Sequence, residues 1–218
     1  MRILTLRIAW VPLFFLAVRL AFAGSPGVSV PVETKSVVFL GDSLSAGLGV
    51  QPNESFPALI GEKITAAKLP FQVVNAGLSG DTSASGLRRI DWLLQKKIDV
   101  LVLELGGNDG LRGLPAANMK TNLQAIIGKV RAGNSAAKIV VAGMQMPPNV
   151  GSDYASAFAS VFREVAQENS ATLLPFLLEN VGGRRELNQP DMIHPNAAGH
   201  RVVAENVWRV LEPLLREP

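Results

Sequence analysis

The chain has 218 residues, 48% hydrophobic and 18% charged, with no cysteine and with 21 Lys+Arg against 18 Asp+Glu. Arg2, Arg7 and Arg19 account for the whole positive excess and all lie in the first 23 residues, so bulk charge excludes nucleic acid or an anionic membrane surface as an expected partner. The lack of cysteine excludes a disulfide-dependent fold and a lipidated cysteine anchor.

Residues 1–23 read as a secretory signal. Arg2 and Arg7 form the charged start, residues 8–18 the apolar stretch, and Ala21-Phe22-Ala23 the cleavage site. That stretch falls short of the roughly 20 residues a membrane span needs, and Arg19 interrupts its end. Cleavage after Ala23 leaves residues 24–218 as a single domain without a stable membrane anchor. Its expected location is the periplasm or the medium, and its expected state a monomer. A chain of this length buries enough surface to fold without metal or staples.

After a short lead-in over residues 24–34, apolar runs alternate with longer amphipathic ones. The first strand is predicted over residues 37–40 and runs into Gly41-Asp42-Ser43-Leu44-Ser45. A serine after a buried strand, at the start of a helical turn, gains from the exposed N–H groups there, although capping is the ordinary role of such a serine. A helix follows over 56–67, then a strand over 71–75 that ends in Asn75-Ala76-Gly77-Leu78-Ser79-Gly80-Asp81. The next helix spans 84–97 and the next strand 100–104, which runs into Leu105-Gly106-Gly107-Asn108-Asp109-Gly110. Glycines in both turns let the backbone approach a ligand, and Asn108 adds an amide donor; turn-formers at ordinary βα turns look the same.

The helix predicted over 116–132 carries Met119, Leu123, Ile126, Ile127 and Val130 at three- and four-residue steps, which makes one apolar face. A strand over 139–142, a helix over 154–169 and a strand over 172–174 follow. Leu111, Leu114, Met144, Met146, Pro147, Tyr154 and Phe158 lie just beyond the third and fourth strands. They are candidates for an apolar acyl groove, or for plain core packing. Before the last helix, over 197–215, comes Asp191-Met192-Ile193-His194-Pro195-Asn196. An Asp three residues before a His on a Pro-bounded loop can fold onto the imidazole and fix its tautomer. His200, inside the helix, reads as a surface or capping residue.

Strands apolar throughout, alternating with helices, indicate a five-stranded parallel sheet covered on both sides, a doubly wound three-layer α/β/α sandwich. In such sheets ligands bind outside the carboxyl ends of the strands, where the turns above lie.

Four segments, Gly41-Asp42-Ser43-Leu44-Ser45, the Gly77 turn, Gly107-Asn108-Asp109 and Asp191-x-x-His194, resemble in order the blocks of the GDSL, or SGNH, hydrolase family. Ser79-Gly80-Asp81-Thr82-Ser83 and residues 105–113 are similar to its thioesterase, lysophospholipase and arylesterase branch. The resemblance implies a flavodoxin-like fold and a serine esterase or thioesterase acting on arylesters, acyl thioesters or lysophospholipids. It implies Ser43 as nucleophile, His194 as base and Asp191 as its orienting partner. The implied oxyanion hole is the N–H of Ser43, the N–H of Gly77 and the amide of Asn108, and the implied cofactor requirement is none. Two other readings use the same residues: a carbohydrate O-deacetylase, and a catalytically idle acyl- or lipid-binding module.

Overall fold

In the computed structural model, residues 34–146 and 150–217 are described. The signal segment lies outside the described residues. The first strand, β1 (Lys35–Gly41), runs into a single helical turn, α1 (Ser43–Ala46). After a 3-10 turn at Pro52–Glu54 come α2 (Phe56–Ala66), β2 (Phe71–Gly77) and α3 (Ser83–Leu93). Next are β3 (Val100–Glu104), the short α4 (Gly107–Leu111) and α5 (Ala116–Gly133). The chain continues with β4 (Lys138–Ala142), α6 (Ser152–Glu168) and β5 (Thr172–Leu174), and ends in α7 (Ala197–Arg216).

All strand pairings are parallel, and the five-stranded sheet has the order β2-β1-β3-β4-β5. Helix α2 packs on α7, and α5 packs between α3 and α6, which gives the two helical layers. Among the described residues no helix is long and apolar enough to cross a membrane.

The apolar face expected on α5 is its buried face: Met119, Leu123, Ile126, Ile127 and Val130 are all 0% exposed. Each such side chain withdrawn from water stabilises the fold by about 1.5–3 kcal/mol. Strand β3 is buried along its whole length, as an inner parallel strand must be. Strand β2 departs from the expectation of strands apolar throughout. It is an edge strand, with Val74 exposed and half-buried and exposed positions interspersed. Helix α3 also stops short of the predicted end at residue 97. The chain leaves it through the tighter bonds Gln95 N–H to Trp92 O and Lys96 N–H to Leu93 O. A shorter helix frees the segment before β3, where Asp99 receives the Ser36 N–H at 2.8 Å and ties β3 to β1.

The chain goes from β1 outward to β2 and then back across β1 to β3. This reversal is the topological switch point, where an open parallel sheet leaves a crevice beyond its carboxyl ends. The turns after β1 and β3 flank it.

Candidate active site

Asp42 and Ser43 follow β1 directly. Asp42 caps α1, its Oδ1 accepting the Leu44 N–H at 3.0 Å. The other N–H groups of the turn are also taken: those of Asp42 and Ser45 by Glu104 Oε2, and that of Ala46 by the Asp42 carbonyl. Among residues 42–46 only the Ser43 N–H has no partner among the described residues.

The loop after the 3-10 turn Arg185–Leu187 brings His194 to Ser43. It is closed by an isolated antiparallel bridge between Asn188 and Pro195, and by the Gln189 N–H to His194 O at 2.8 Å. The Gln189 amide reaches Leu48 O at 2.6 Å and so ties this loop to the chain just after α1. Met192, at φ +61°, takes the left-handed conformation that turns the backbone over Asp191. Asp191 Oδ1 then accepts the N–H groups of Ile193 and His194 at 2.9 and 3.0 Å.

Ser43 Oγ lies 2.9 Å from His194 Nε2, and His194 Nδ1 lies 2.7 Å from Asp191 Oδ2. The backbone N–H of His194, its side chain and the N–H of Ile193 hold the Asp191 carboxyl down at about 2. An ionised Asp191 accepts a hydrogen bond from the Nδ1–H, so the Nε2 lone pair faces the Ser43 hydroxyl. That is the tautomer a general base requires.

Asn108 sits in the first turn of α4 and donates its amide to Asp42 Oδ2 and to Asp81 O, both at 3.0 Å. Burial, opposed by hydrogen bonds from Leu44 and Asn108, pushes the Asp42 carboxyl up to about 6. Gly77 does not offer the donor expected of it. Its N–H is bound at 2.9 Å by the Asn75 side chain, and it lies in β2 packed against Ser45 and Ala46. Gly80, at φ +85°, lies in the same turn, and its N–H has no partner among the described residues. It precedes Asp81, whose carbonyl holds Asn108. The Gly-Asp pair in the turn was readable in sequence; which of its two glycines keeps a free N–H was not.

A cavity of about 460 Å3 opens beside Ser43 and His194. Of the expected groove residues, Leu111, Met144 and Met146 line it. Leu114 and Tyr154 do not: the Tyr154 hydroxyl donates to Leu114 O at 2.7 Å and braces the chain after α4. Phe158 is wholly buried against Phe162 in the core. Pro147 lies outside the described residues. The rest of the apolar lining is Leu44, Phe176, Leu178, Met192 and Ile193. Phe176 and Leu178 follow β5, a strand whose loop carries no turn motif that marks it as part of a site. Met192 and Ile193 were visible as the spacer between Asp191 and His194.

His200 is a core residue rather than a surface one. It is 1% exposed, stacks on Phe56 and accepts the Phe56 N–H at 3.2 Å through Nδ1. It thereby caps α2 from α7, and burial pulls its ring down to about 4.

The sequence profile described as the GDSL-like lipase/acylhydrolase family matches residues 39–202. The chain is 43% identical over 182 residues to the esterase TesA of Pseudomonas aeruginosa, covering 83% of this chain and 90% of that protein. It is 38% identical over 181 residues to the thioesterase 1/protease 1/lysophospholipase L1 of Escherichia coli strain K12, covering 83% and 85%. The crystal structure of the psychrotrophic esterase EstA from Pseudoalteromonas sp., inhibited by monoethylphosphonate, superposes with a TM-score of 0.78. That match is at 34% identity and covers 84% of this chain and all of EstA.

Proposed function

Because this chain belongs to the GDSL-like lipase/acylhydrolase family, we propose that it hydrolyses acyl esters and thioesters through Ser43, with His194 as base and Asp191 as its orienting partner. It is an ester or thioester hydrolase, as its relatives are. The observation that carries the mechanism is the line of hydrogen bonds from Ser43 Oγ through His194 to Asp191, set at the mouth of an apolar cavity.

Ser43 Oγ attacks the acyl carbonyl as its proton passes to His194 Nε2. His194 returns that proton to the leaving alcohol or thiol, and an acyl-enzyme remains. Water then attacks the acyl carbon by the same route, His194 taking its proton, and the free acid leaves as Ser43 regains its hydrogen. The negative charge on the carbonyl oxygen meets the N–H of Ser43, the N–H of Gly80 and the amide of Asn108. The amide is oriented in the free enzyme by Asp42 and Asp81, which take both of its protons, so one of these acceptors gives up its proton to the oxyanion.

Leucine and methionine dominate the apolar part of the cavity wall, and among the described residues Phe176 is the single Phe, Tyr or Trp on it. That lining suits an acyl chain better than a sugar, which calls for aromatic platforms. Arylesters, acyl thioesters and lysophospholipids all present such a chain. The protein works outside the cytoplasm, as a soluble monomer without a cofactor; residues 1–23 with their charged start and A-x-A end support export.

The test is hydrolysis of p-nitrophenyl esters from acetate to palmitate, beside Ser43→Ala. Turnover that peaks at medium or long chains and disappears in the variant is expected. A peak at acetate alone points to a deacetylase. Equal behaviour of both proteins, folded, leaves a binding module.

A further inference from the structure

Glu104 ends β3 within a run of apolar residues and is 0% exposed. The β1–β3 register sets it beside Gly41. A single oxygen, Oε2, accepts three hydrogen bonds from the turn that carries Ser43. The donors are the Asp42 N–H at 3.2 Å, the Ser45 N–H at 3.2 Å and the Ser45 hydroxyl at 2.7 Å. Its other oxygen, Oε1, has no hydrogen-bond partner among the described residues. The approach is so close that a Cβ on Gly41 would lie 2.3 Å from Oε2 and 2.2 Å from Ser45 Oγ. An apolar side chain in its place would leave these three buried donors without their acceptor.

We propose that Glu104 is a positioning residue for acyl transfer: it takes up the N–H groups on both sides of Ser43, fixes the turn, and leaves the Ser43 N–H free for the oxyanion. The inference rests on Ser43 being the nucleophile. One acceptor oxygen makes all three contacts, so the clamp works without a charge. Burial raises the Glu104 carboxyl well above the usual range, and the charge of Asp42, the titratable group facing it from the β1 turn, raises it further. A neutral clamp also suits the reaction, because a carboxylate directly behind the oxyanion donors would oppose the charge that develops there.

The experiment measures kcat and KM for p-nitrophenyl butyrate in Glu104→Gln, Glu104→Leu, Ser45→Ala and Ser43→Ala, with circular dichroism and thermal unfolding to establish that each is folded. Gln supplies an uncharged acceptor in the same place and is expected to keep kcat within about threefold of wild type, whereas Leu lowers kcat about 100-fold with KM little changed, the cost of a misplaced reacting group. Ser45→Ala removes the shortest of the three contacts without adding bulk, and covers the case of a Leu variant that does not fold; it is expected to lower kcat about tenfold. A folded Leu variant with wild-type kcat overturns the inference, as does an unchanged Ser45→Ala. A Gln variant as impaired as Leu overturns it too, because the charge would then matter rather than the acceptor. Ser43→Ala separates the two levels: wild-type turnover in that variant removes the nucleophile assignment and this inference with it, whereas indifference at Glu104 and Ser45 alone removes only the inference.

Discussion

The side-chain amide of Asn108 donates to the carboxylate of Asp42 at 3.0 Å, so the donor after β3 is aimed by the residue that precedes the nucleophile after β1. Its second proton goes to Asp81 O, also at 3.0 Å, in the turn after β2. Three strand ends thus fix one amide, and an oxyanion beside it takes over one of these two protons from its present acceptor. Asn108→Ala is therefore expected to lower kcat about 100- to 1,000-fold with KM changed little, the range for one oxyanion donor. Steady-state kinetics on an ester substrate checks this, and a near-normal kcat would remove Asn108 from the hole.

Ser43 and His194 form the reacting pair, while Asp191 acts on His194 from a more open position, with 43% of its side chain exposed. Ser43→Ala and His194→Ala are each expected to lower kcat about a million-fold, and Asp191→Ala about ten thousand-fold, the non-additive pattern of a triad. The double variant Ser43→Ala/His194→Ala is expected to be no worse than either single one. Additive losses would mean that the two residues act separately.

Gly77 and Gly80 answer to different constraints. A Cβ at Gly77 would lie 2.3 Å from the Ala46 backbone nitrogen, which has no room to retreat. A Cβ at Gly80 meets only the tip of Arg112 at 3.9 Å, and the cost there is the left-handed backbone at φ +85°. Gly77→Ala is expected to cost about 3 kcal/mol through overpacking, and Gly80→Ala about 1 kcal/mol through backbone strain. Urea unfolding of both variants tests the order, and a larger loss at Gly80 would contradict this account of the turn.

His200 is held neutral, its ring drawn from 6.5 to about 4 by burial. The unfolded chain takes up the proton first as pH falls, so this contribution is fully present above pH 6.5 and is lost progressively down to about pH 4. Asp42, with its carboxyl raised, acts in the opposite sense below about pH 6, so the wild-type curve alone mixes the two. The comparison with His200→Asn, which keeps an acceptor for the Phe56 N–H, isolates the histidine. Relative to that variant, wild type is expected to lose up to about 3 kcal/mol between those pH values. A difference that does not vary with pH would mean that the ring titrates in the fold as it does in the unfolded chain.

Much of this molecule was legible in the chain itself. Strand and helix positions follow from hydrophobic period, which the core reads directly: every predicted apolar residue of α5 is buried. Asp191 and His194 were legible for the same local reason. Three residues on a tight loop suffice to close a hydrogen bond, so their relation needs no knowledge of the rest of the fold. The family resemblance rested on residues at strand ends, where an open parallel sheet places its ligands.

What only the tertiary structure decided are relations between residues far apart in sequence. Strand order put β2 at an edge and opened one of its faces. Side-chain reach from Asn75 removed the Gly77 N–H and left Gly80. Packing drew Tyr154 and Phe158 away from the cavity and brought Phe176 and Leu178 to it. It also buried His200 against Phe56 and turned Glu104 into a partner of the nucleophile's turn. Period and propensity act over a few residues and are written along the chain. Who faces whom across a crevice depends on how whole layers dock, and no local pattern records it.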